Sequence, residues 1–181
     1  VGGEADGARS GWATGVERRP ADPPFPAAVR LLGRARPLFA GRRTPHAERR
    51  LFLAVIAAAA QKLEAEHAAG RLTRADLRYL GALEAFALGR GRSGQHRGVF
   101  IVGLADVRAT QDPQYWTSAL VHDGVHAWLQ RRGRPYRDEV APCEAQLDYL
   151  ARTGADPALI AHIARFRDGR ARQRRRSREG V

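Results

Sequence analysis

The sequence predicts a predominantly helical α+β domain with a short β-sheet, and three observations carry that prediction. A capping side chain stands directly before proline at Thr44-Pro45, Asp112-Pro113 and Asp156-Pro157, which marks three helix starts. Apolar residues recur at helical spacing over most of the chain. One short run, Val99 to Leu104, has the β-branched and aromatic composition of a strand.

Residues 1–25 are rich in Gly, Pro and Ala without a sustained period, so they read as an irregular lead-in to one domain over 26–164. From Thr44, the positions Leu51, Val55, Ala58, Ala59 and Leu63 share a helical face up to the stop at Gly70. Thr73 with Asp76 resembles a capping box, which opens a second helix through Leu80, Leu83, Phe86 and Leu88. These two helices are expected to pair antiparallel. After the Gly-rich stretch GRGRSGQHRG comes the strand VFIVGL, bounded by Gly98 and by a turn region from Asp106 to Asp112. Pro113 then opens a helix that carries HDGVHAWLQ and ends near Gly133-Arg134-Pro135. Another helix is expected from about Asp138 to Thr153, and a last one from Pro157 to about Phe166. Residues 165–181 form an Arg-rich tail, eight Arg against Asp168 and Glu179, which reads as a solvated extension whose charge admits nucleic acid as a partner.

At 181 residues the chain has room for one ordinary core, which buries roughly 70% of the unfolded surface at this size. Hydrophobic residues at 44% and charged residues at 28% are the balance of a folded domain and exclude wholesale disorder. The formal charge of +12 comes almost wholly from arginine, with Lys62 the only lysine. Such a bias reads as coding preference, so the total count alone does not identify an acidic partner. Cys143 is the only cysteine, which excludes an intrachain disulfide framework and a multi-cysteine zinc knuckle and makes a reducing, cytoplasmic setting the expectation. The longest apolar run, Leu51 to Ala60, falls well short of the ~20 residues of a membrane span, and no signal-peptide pattern opens the sequence.

The stretch ALVHDGVHAWLQ carries the chemistry. His122 and His126 stand four residues apart in a helical context, so both imidazoles project from one face about one turn apart and can converge on one metal ion. Leu120, Val121, Trp128 and Leu129 flank them, and a buried helix makes unpartnered imidazoles costly. A catalytic zinc takes three protein ligands, and the third is sought in RDEVAPCEAQLDYL. Glu139, Cys143 and Gln146 share one helical face, which favours Glu139. Glu144 is the alternative if the helix begins only at Pro142, and Cys143 is a softer candidate.

With these residues in view, residues 98–154 resemble the zincin metallopeptidases of gluzincin type, in the order strand, metal helix, short turn, glutamate helix. HDGVH stands where that family has HExxH, so Asp123 occupies the position of the general base. The resemblance implies one zinc ion held by His122, His126 and Glu139, hydrolysis of a peptide or protein substrate by activated water, and Asp123 as catalytic base. It also implies that Val99 to Leu104 is the edge strand that pairs with an extended peptide, with Tyr136 or Arg137 near an oxyanion. Two other readings compete. One is a catalytically inactive zincin-like module that binds a partner. The other is an HD-type metal phosphohydrolase, built on the His122-Asp123 pair with His96 upstream.

Overall fold

The structure, a computed structural model, describes residues 28–134 and 139–178. The lead-in expected over 1–25 lies outside the described residues. The elements run β1 (Ala28–Leu31), β2 (Arg34–Phe39), α1 (His46–Ala68), α2 (Arg74–Ala82), β3 (Ala85–Gly89), β4 (Gly94–His96), β5 (Val99–Gly103), α3 (Leu104–Ala109), α4 (Pro113–Arg131), α5 (Val140–Arg152) and α6 (Pro157–Arg178). This is a predominantly helical α+β arrangement with a small five-stranded sheet, as the sequence predicts.

The sheet has the order β1-β2-β3-β5-β4, with β2, β3 and β5 parallel and β1 and β4 antiparallel to their neighbours. Both antiparallel pairs close through two-residue turns, Leu32-Gly33 and Arg97-Gly98, in which all four residues have positive φ. That is the mirror-image turn whose twist suits a hairpin, and glycine at its second position avoids a strained Cβ. The turn at Arg97-Gly98 folds β4 back along β5, so Val99 to Leu104 is interior and β4 is the edge. The expectation of an edge strand at Val99 to Leu104 is thereby corrected. Leu104 itself starts α3, which replaces part of the turn region expected before Asp112.

Three further boundaries differ from the sequence reading. The capping box is present, with Thr73 Oγ1 accepting from Asp76 N at 3.1 Å and Asp76 accepting from Thr73 N at 2.7 Å. The helix it opens stops at Ala82, however, and Phe86 and Leu88 belong to β3, whose parallel pairing with β5 outweighs their local helical spacing. Second, α1 and α2 do not form a pair of their own; each packs on α4. Third, α6 continues past Phe166 to Arg178, because Arg, Ala and Gln are good helix formers and cations suit the C-terminal end of the helix dipole. Asp112 and Asp156 cap as expected, accepting from Gln114 N at 2.9 Å and Ala158 N at 2.7 Å.

The core lies between the sheet and the helices α1 and α4. Phe52, Ile56 and Leu63 of α1, Phe86 and Phe100 of the sheet, and Trp116 and Leu120 of α4 are all buried. Trp116 meets Phe100 and Tyr115 edge to face and donates its indole N–H to Thr110 O at 3.0 Å. A polar clamp fixes the far end of α5 on α2: Arg152 donates to the buried Asp76 at 2.6 Å. Asp76→Ala should therefore remove a cap and strand a guanidinium together, costing about 2 kcal/mol. A fall of roughly 4–8 °C in Tm checks this, and an unchanged Tm would show that the clamp is idle.

Candidate metal centre

The centre is built on α4 and the start of α5. Asp112 and Pro113 fix where α4 begins, so the helical phase of His122 and His126 follows, and their rings stand 5.0 Å apart between centroids. Gly124 sits between them for a packing reason. A Cβ there would lie 2.7 Å from Tyr79 O and 2.8 Å from Tyr79 C, so its absence lets α2 approach the back of α4. Opposite the histidines, α5 is held on α4 by Gln146 Nε2, which donates to Ser118 Oγ at 3.0 Å in the interior. Gln114 Nε2 donates to Thr153 Oγ1 at 2.8 Å, tying the other ends of the two helices.

This docking brings Glu139, immediately before α5, onto the histidine face. Glu139 Oε2 lies 3.3 Å from His122 Nε2 and 3.4 Å from His126 Nε2. Those distances are long for charge-assisted hydrogen bonds, which cluster at about 2.7–2.9 Å. They match the edge of a tetrahedron with ligand bonds of 2.0–2.1 Å, which is about 3.3–3.4 Å. All three donor atoms fall within 4.8 Å of one another, so among the described residues His122, His126 and Glu139 form a group that can hold a metal ion. Its donor set, two imidazoles and one carboxylate, is that of a three-ligand zinc site.

The electrostatics of the three side chains are tightly linked. The neighbouring His122 and His126 imidazoles hold the Glu139 carboxyl far below its usual range, against the opposing effect of burial. Burial by itself would lower His122, but the Cys143 thiol and the Glu139 carboxylate that face it outweigh this and raise it to about 10. A cation entering the group therefore has to displace a proton from His122, since imidazole ligates only in its neutral form. Asp123, 8% exposed, is raised by burial, partly offset by His122 and His126. The His126 side chain is 4% exposed and that of Glu139 28%, so solvent reaches the group from the α5 side.

Of the residues singled out in the sequence, His122, His126 and Glu139 come together, with Asp123 buried on the same helix. Cys143 is buried beside His122 but is not a member of the group, and Glu144 points to solvent. Tyr136 and Arg137 lie outside the described residues. His96, which the phosphohydrolase reading requires, is exposed on β4 and outside the group, and a five-stranded sheet is foreign to an all-helical fold. The remaining histidines, His46, His67 and His162, are exposed. Sequence reasoning missed β4, whose three residues, Gly-Gln-His, have no β-branched signal. Yet β4 is attached to the metal helix: Gln95 Nε2 and Arg97 N both donate to Gln130 Oε1, at 3.3 and 3.2 Å.

No family model, curated protein or solved structure matches the chain. Among the described residues, no helix is long and apolar enough to cross a membrane.

Proposed function

We propose that this chain is a zincin-like, zinc-dependent hydrolase of peptide bonds. The observation that carries the reading is the spacing of Glu139 Oε2 from the two imidazole nitrogens, 3.3 and 3.4 Å, which fits shared ligation better than hydrogen bonding. His122, His126 and Glu139 hold the ion, and a zinc ion so bound supplies Lewis acidity toward water and a substrate carbonyl. Asp123 accepts the proton from the attacking water, and its buried setting, which raises its pKa, suits a proton acceptor that must later give the proton up. The substrate backbone pairs with β4, the open edge, rather than with the interior strand β5. A reducing, cytoplasmic setting fits the single buried thiol, Cys143.

One feature favours a second reading, a module that binds zinc and a partner without cleaving it. Asp123 is one methylene shorter than the glutamate of the resembled motif, so its carboxylate stops roughly 1–1.5 Å short. A misplacement of about 1 Å costs on the order of 100-fold in rate. Asp123→Glu is thus expected to raise cleavage of an unfolded protein substrate by about 100-fold at unchanged zinc content. The experiment measures zinc per chain by inductively coupled plasma spectrometry and assays both forms side by side. An active Asp form with an inactive Glu form would show a site adapted to Asp123. One zinc in each and no cleavage by either would establish the binding module, and no zinc in either would remove both readings.

A further inference from the structure

The arginines of this chain are not spread evenly. Between Arg165 and Arg178 there are eight of them against one acid, Asp168, and that acid is engaged by Arg167 at 2.7 Å. The segment is helical throughout, and Arg170, Arg172, Arg174, Arg175 and Arg176 are exposed. At about 100° per residue, Arg165, Arg172 and Arg176 project to one side of α6 and Arg167, Arg170 and Arg174 to the opposite side. Coding preference accounts for arginine in place of lysine; it does not account for eight in one stretch.

We infer that the Arg-rich half of α6 is a docking helix for the phosphate backbone of duplex DNA. A helix of about 10–12 Å diameter fits a major groove of about 12 Å, and cations on its two sides then meet the phosphates of both strands. From Arg167 to Arg178 the segment spans roughly 18 Å, over which a duplex presents about one negative charge per 1.7 Å. Three other polyanionic surfaces fit less well. Past Phe166 the helix has no apolar residue larger than Ala171, so it has no face to bury in a membrane interface. The deep, narrow major groove of A-form RNA does not admit a helix. For a protein surface, the segment past Phe166 brings no aromatic or large aliphatic side chain to anchor in a pocket. Arginines on both flanks of the helix are placed for phosphates, so a duplex of arbitrary sequence is a sufficient ligand.

The placement of this helix connects it to the metal centre. Arg167, bound to Asp168, also feels Glu144 and Cys143 near the start of α5, so α6 runs back along α5. α6, running from Pro157 to Arg178, is the longer of the two helices, and α5 begins at Val140, next to Glu139.

The test is fluorescence anisotropy of the full chain with a labelled 20-base-pair duplex of arbitrary sequence at 50–200 mM NaCl. Replacing Arg172, Arg174, Arg175 and Arg176 together by Gln, which keeps helix propensity, should weaken binding about 100-fold or more at 50 mM salt and flatten the log–log salt slope by about 3.6. The same four positions changed to Lys should keep both affinity and slope. Circular dichroism should show the same helix content in all three proteins. An unchanged slope in the Gln form overturns the inference, as does tighter binding of an A-form RNA duplex or of phosphatidylserine vesicles than of DNA. The readout is binding alone, so the inference stands or falls independently of zinc and peptidase activity.

Discussion

His126→Ala is expected to abolish zinc retention. The wild-type chain, dialysed against a weak chelator, should keep one zinc, and the variant none. Loss of an outer-shell partner costs about 10–100-fold in metal affinity, and loss of a direct donor from a three-ligand group exceeds that. Among the described residues, the two other candidate donors are outside the group: Cys143 lies beside His122, and Glu144 faces solvent. His122→Ala and Glu139→Ala should behave in the same way, whereas His162→Ala and Glu144→Ala, at exposed positions, should retain the metal. Retention by Glu139→Ala together with loss in Glu144→Ala would move the third ligand to Glu144 and contradict the 3.3 and 3.4 Å spacings.

Gly124→Val should destabilise the chain strongly through α4, the helix that carries the two histidines. Its Cβ would be built 2.7 and 2.8 Å from the carbonyl oxygen and carbon of Tyr79, and these are backbone atoms that cannot swing aside. Overpacking of this kind costs up to about 3 kcal/mol, and a β-branched residue regains little of the helix propensity that glycine lacks. For a chain of this length that is a fall of roughly 6–12 °C in Tm. Gly124→Ala meets the same contact but gains about 1 kcal/mol of helix propensity, so it should fall between the two. Equal stability of all three proteins would mean that α2 withdraws from α4 at no cost.

Much of the site was legible before any coordinates because its geometry is local. Asp112-Pro113 fixes the phase of α4, the spacing of His122 and His126 then follows, and Glu139 lies seven residues from Gln146, which docks α5 on α4. What the sequence hid depends on pairing between distant residues. Phe86 and Leu88 have helical neighbours and become a strand only because β5 lies alongside. β2, with the sequence RARPLF, is half arginine and proline and takes its strand form from β1 and β3. The identity of the edge strand is hidden for the same reason, since nothing local to VFIVGL says that Gly94 to His96 folds back over its outer side. The reason for Gly124 in α4 is equally non-local, the close approach of the Tyr79 backbone.

The double attachment of Gln130 to β4 has a consequence for recognition. Gln130 lies one helical turn beyond His126 and accepts from both Gln95 Nε2 and Arg97 N. The sheet edge and the histidine helix are therefore tied to each other, and a strand added to β4 would be indexed against the imidazoles as if laid along a ruler. Backbone pairing advances in steps of two residues, with alternate side chains on opposite faces. A partner seated this way would be sampled at every second position only, so a polypeptide sliding along the edge would meet the histidines in discrete two-residue frames.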